Sequence, residues 1–108
     1  MITIHFGEPD YEKFKESLQR LRFNQRLCYY KGPPMLLDAR ERDHCLGKMA
    51  QLVWQLQELD YCFLYQVKVD GQTHYCLHPR SYSTPKSRKT YLNRTSIKEA
   101  ELMISVLA

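Results

Sequence analysis

An α+β fold, a mainly antiparallel sheet packed by three helices, is predicted by three stretches of this sequence. An Asp70-Gly71 pair lies between two runs of strand-forming residues, a long helical pattern covers Asp38 to Leu59, and a Ser96-x-x-Glu99 box opens an apolar-striped segment after it. Asp-Gly supplies the positive φ angles of a two-residue type I′ turn, so 61–78 is expected to fold as a hairpin. If Val69 faces Gln72, then Val67 faces His74, Tyr65 faces Cys76 and Phe63 faces His78 on one side of that hairpin. This side is expected to pack under a helix, leaving Gln66, Lys68 and Thr73 on the wetter one.

The remaining elements follow in chain order. Ile2, Ile4 and Phe6 alternate with Thr3 and His5, which predicts a half-buried strand near 1–6 that ends at Gly7. Pro9 suits the first position of a helix, and Glu8, Asp10 and Glu12 favour its positive end. Tyr11, Phe14, Leu18 and Leu21 then form a stripe, so a first helix is expected over about 9–22. Leu27 to Tyr30 is a compact apolar run too short for three helical turns before Gly32-Pro33-Pro34, and a strand over 27–31 fits it better. A second helix over about 39–59, capped by Asp38, carries Leu46, Met49, Val53 and Leu56 on one face, widened by Leu52 and Leu59. The third, over 96–107, presents Ala100, Met103, Ile104 and Leu107, and its Ser96 and Glu99 are expected to satisfy each other's backbone N–H groups.

At 108 residues the chain has the size of one domain, and 1–108 is expected to fold as a single unit without metal or disulfide support. Apolar residues make up 44% and charged residues 26%, which excludes the low-hydrophobicity, high-charge composition of disordered chains. No secretory signal and no run of about 18 apolar residues is found, so a cytoplasmic location with no membrane contact is expected. Cys28, Cys45, Cys62 and Cys76 accordingly read as free thiols.

The charge is unevenly placed. Five of the 16 basic residues and none of the 12 acidic ones fall between His78 and Thr95, so the rest of the chain is net −1 although the whole is +4. Arg80, Lys86, Arg88, Lys89 and Arg94 carry that excess, among hydroxyl-bearing residues suited to phosphate and beside Tyr82 and Tyr91, whose rings can stack on a base. A tethered loop between hairpin and helix, with a short strand around 89–92, is expected here. Arg20, Arg22, Arg26 and Lys31 form a second stretch, free of acids from Ser17 to Leu37. These seven residues of the first stretch point to a small non-enzymatic protein associated with nucleic acid, although a solvated loop has the same composition.

A protein-binding adaptor or inhibitor, docking an acidic protein surface and of a size seen in viral or mobile-element accessory proteins, is the alternative. For it Tyr29, Tyr30 and Trp54 are the contact candidates. A small RNA-cleaving enzyme is a weaker one. His74, Cys76 and His78 alternate along one strand and could offer metal ligands, with His44 and Cys45 completing a site. With no CxxC pair and an apolar register around them, no metal, cofactor or catalytic residue is assigned.

Overall fold

A computed structural model describes residues 2–7, 10–32, 44–84 and 87–107. Glu8 and Pro9 of the expected first-helix entry, the Asp38 cap, the first residues of the expected second helix and Lys86 lie outside them.

Four strands form the main sheet: β1 (Ile2–His5), β2 (Gln25–Gly32), β3 (Cys62–Val69) and β4 (Gln72–Pro79), in the order β1-β2-β4-β3. The hairpin register is the expected one throughout, from Val69 opposite Gln72 to Cys62 opposite Pro79. Asp70 and Gly71 hold φ of 51° and 77°, as the turn requires. The sheet is antiparallel except for β1, which runs parallel to β2 because helix α1 (Tyr11–Arg20) carries the chain back between them. Between Cys28 and Tyr30 two residues of β2 span one step of β4, a bulge that turns both Tyr29 and Tyr30 toward the core.

Helix α1 starts at Tyr11, where the Asp10 carboxylate accepts from the Lys13 backbone N–H at 3.1 Å. Helix α2 (His44–Glu58) ends where the N–H of Asp60 reaches the Gln57 carbonyl and that of Tyr61 the Leu56 carbonyl, both at 2.9 Å. Asp60 takes φ 64° in this Schellman motif, at the position glycine usually fills. Helix α3 (Arg94–Leu107) begins two residues earlier than expected. Its cap is Asn93: the Asn93 side chain accepts from the Ser96 N–H and the Ser96 hydroxyl accepts from the Asn93 N–H, both at 2.9 Å. Ser96 is thus the inner partner of the box, and Glu99 is released to accept from the Tyr61 hydroxyl at 2.6 Å.

One apolar cluster joins all three helices to one sheet face: Phe14 and Leu18 from α1, Leu52, Val53 and Leu56 from α2, Ile97 and Ala100 from α3, against Leu27, Cys62 and Leu77. The faces of the hairpin are therefore the reverse of the expectation. Cys62, Leu64, Leu77 and Pro79 lie toward the helices, whereas Phe63, on the His78 side, is 51% exposed. The apolar density at the helix-proximal end of the hairpin outweighs the polar Gln66, Lys68 and Thr73 at its distal end. On α3, Ile97 and Ala100 are buried but Met103 lies outward with Leu102 and Val106, which corrects its place in the expected stripe.

Several titratable groups are tied into this core. Burial pushes the Cys62 thiol up to about 12. Burial and its 3.0 Å bond to Glu101 raise the Tyr11 phenol. Burial disfavours the Lys15 ammonium, but hydrogen bonds to Glu12 and Glu101 outweigh it and raise that pKa too. A raised folded-state pKa contributes stability that is complete below the unfolded value and lost as pH rises through the folded one. Urea-unfolding stability is thus expected to be flat from about pH 7 to 8 and to fall above it, with Cys62 alone costing about 1.5–2 kcal/mol by pH 10. Cys62→Ala, measured across the same series, should keep a constant offset and lose that first part of the decline.

Candidate nucleic-acid interface

The basic segment folds into a ribbon of its own. β5 (Ser81–Thr84) and β6 (Ser87–Thr90) pair antiparallel, with Tyr82 opposite Lys89 and Ser83 opposite Arg88, and pair with no strand of the main sheet among the described residues. The short strand expected at 89–92 lies two residues earlier and has a partner. Arg88 and Lys89 are successive positions on β6.

The base of the ribbon is fixed. The Arg80 N–H donates to the Tyr61 carbonyl and the Tyr91 N–H to the Arg80 carbonyl, both at 3.0 Å. The Arg80 guanidinium lies 4.8 Å from the centre of the Phe63 ring and 3.3 Å from the Asp60 carboxylate, with 42% of its side chain exposed. Arg80 is therefore partly occupied in holding the base. Tyr91 remains exposed, its ring 6.1 Å from that of Tyr61.

The same base meets the second basic stretch. The Thr90 hydroxyl lies 3.4 Å from the Leu21 carbonyl, between Arg20 and Arg22, and the His78 Nε2 lies 2.8 Å from the carbonyl of Phe23. Arg20 and Arg22 are both exposed. Arg26 and Lys31 are not part of this junction: Arg26 donates to the Thr3 hydroxyl at 2.6 Å, and Lys31 is at the far end of β2. The base of the ribbon thus meets the end of α1, and Arg94 follows it in the chain at the start of α3. Sequence reasoning left Arg20 and Arg22 out of the site because their approach depends on tertiary contacts of Thr90 and His78.

No family model, curated protein or solved structure matches the chain. Its own geometry is what bears on function.

Arg94 sits at the positive end of α3, whose first turn holds no acidic residue. A cation there opposes helix stability while adding to the field at the ribbon base. Arg94→Glu is expected to raise unfolding stability by about 0.5 kcal/mol and to weaken phosphate binding, read by parallel urea and binding titrations.

The three partner-contact candidates separate. Tyr29 is buried against Phe14, Tyr30 is half-buried against Tyr75, and Trp54 is 55% exposed on α2. Trp54 borders an open groove of about 400 Å³ shared with Ala50, Gln57, Leu64 and Gln66.

The alternating strand is also divided. His78 is bound to Phe23, and Cys45 donates to the Met49 sulfur on the helical side, so neither joins a metal cluster with His74. Cys28 and Cys76 are directly opposed and form a disulfide, correcting the free-thiol expectation for these two; Cys45 and Cys62 keep their thiols outside any disulfide. Two residues that sequence reasoning passed over, His5 and Cys28, complete the group around His74. The signal for His5 was present in the alternation that sends Ile4 to the core and its neighbour to the other face.

Proposed function

We infer that this chain binds the phosphate backbone of nucleic acid through the β5–β6 ribbon, without catalysis of its own. Arg88, Lys89 and Arg94, with Lys86, supply charge, Arg20 and Arg22 extend it, and Tyr82 and Tyr91 supply stacking surface. The observation that carries this is the junction of Thr90 with Leu21, which joins two acid-free stretches at the base of a separate two-stranded ribbon. A ribbon of that width fits the major groove of a B-form duplex, while its flanking cations can reach the phosphates on either side.

Neutralising three to five phosphates on duplex DNA gives a slope of log affinity against log salt of about −3 to −4.5. Fluorescence anisotropy with a labelled duplex across a salt series measures it. No binding at low salt, or binding indifferent to salt, is the outcome that overturns this function.

The exposure of Trp54 beside its groove supports a second reading, an adaptor that docks a protein through an aromatic anchor. Partners retained in a pull-down after nuclease treatment, and lost in Trp54→Ala, favour it; partners that all vanish with nuclease count against it.

A further inference from the structure

The sheet face turned away from the helices carries a cluster unrelated to the ribbon. His5, Cys28 and Cys76 form a row across β1, β2 and β4, since each is the register partner of the next. His74 stands two residues along β4. Ligand atoms of His5, Cys28 and His74 all lie within 4.8 Å of one another, and the two imidazoles meet edge to face at 5.9 Å. The Cys76 sulfur is bonded to that of Cys28 and so occupies the same spot.

His74 is 9% exposed, yet among the described residues neither of its ring nitrogens has a hydrogen-bond partner. A buried imidazole without one is costly and calls for an explanation, a bound ion being a usual one. His5 is exposed and borders an open cavity of about 410 Å³ with Gly7, Tyr30 and Lys31, which gives an ion a way in.

The geometry points to a zinc site that opens when the disulfide is reduced, with His5, Cys28, His74 and Cys76 as its four ligands. Two nitrogen and two thiolate donors suit tetrahedral Zn²⁺. A disulfide sulfur is a poor ligand, so the oxidised chain holds the site closed. A small-molecule thiol supplies the electrons: its thiolate attacks one sulfur, the Cys28–Cys76 bond breaks, and a second thiol resolves the mixed disulfide. Two thiols are thereby oxidised to one disulfide and two protein thiols are formed. Zn²⁺ then displaces their two protons and is held by two thiolates and two neutral imidazoles. The apolar cluster stands on the opposite face and includes neither cysteine, so the sheet survives reduction.

The test uses the whole chain, reduced with a phosphine, freed of reagent without oxygen and titrated with Co²⁺ and then Zn²⁺. Expected are uptake of one Co²⁺ per chain with thiolate-to-cobalt charge-transfer absorption and tetrahedral visible bands, and their loss on adding Zn²⁺. The oxidised chain should show neither. His5→Gln, a change at an exposed position, is expected to weaken Co²⁺ binding about tenfold or more, while Cys45→Ala leaves it unchanged. The proposal is overturned by a folded reduced chain that takes up no Co²⁺, by equal uptake in the oxidised chain, or by unchanged binding in His5→Gln. A reduced chain that has lost its near-ultraviolet dichroism contradicts it as well, since the site needs the sheet.

Discussion

Leu77→Ala is expected to lower unfolding stability by about 3–5 kcal/mol, a large part of the roughly 5–15 kcal/mol available to a domain of this size. Leu77 is fully buried on an interior strand, flanked in register by Leu27 on β2 and Leu64 on β3. Its truncation removes apolar burial and leaves a cavity that three paired strands cannot collapse to fill. Urea titrations should show a lower midpoint with an unchanged slope. Val106→Ser, at a position 79% exposed on α3, should stay within about 0.5 kcal/mol. A cost under about 1 kcal/mol for Leu77→Ala would mean that the helices do not pack on this face.

The second large effect is on binding. Reversing Arg88 and Lys89 to Glu removes two cations from the ribbon and adds two charges that repel phosphate, so duplex affinity at about 0.1 M salt should fall roughly 100-fold. Because the ribbon pairs with no strand of the main sheet among the described residues, stability should move by no more than about 0.5 kcal/mol. The separation of the two readouts matters: a loss of binding with unchanged urea midpoint assigns the effect to charge. Arg80 is a poorer probe, since its ion pair with Asp60 and its contact with Phe63 tie binding to the integrity of the ribbon base.

Local chemistry made the hairpin readable, down to its register, because an Asp-Gly turn specifies two backbone angles and alternation does the rest. Which face is buried was not readable from the hairpin by itself. Both faces carry apolar residues, and the choice is made by where α2 lands, through the Cys62 sulfur near the Val53 carbonyl and the Gln57 side chain accepting from the Leu64 N–H. At the start of α3 two cap patterns compete, Asn93-x-x-Ser96 and Ser96-x-x-Glu99. The upstream one prevails, and the hydroxyl of Tyr61, distant in sequence, takes Glu99.

The candidate sites divide in the same way. Charge excess is a sum over neighbours, so the basic segment was legible, and the Tyr-bearing ribbon lies within it. The disulfide was not, because Cys28 and Cys76 are 48 residues apart and meet only through strand order and the bulge at Tyr29. For the same reason His5 joins His74 across β2, a relation no spacing along the chain encodes.

In the proposed function the ribbon and the α1 terminus act as one phosphate-binding surface. This joint action is tested most directly by the salt slope of Arg20→Ala/Arg22→Ala with the ribbon untouched. Two lost phosphate contacts should make the slope shallower by about 1 to 2 and weaken binding at low salt to a similar degree on any sequence. A slope and affinity equal to those of the wild type would show that the ribbon acts alone and contradict the joined surface.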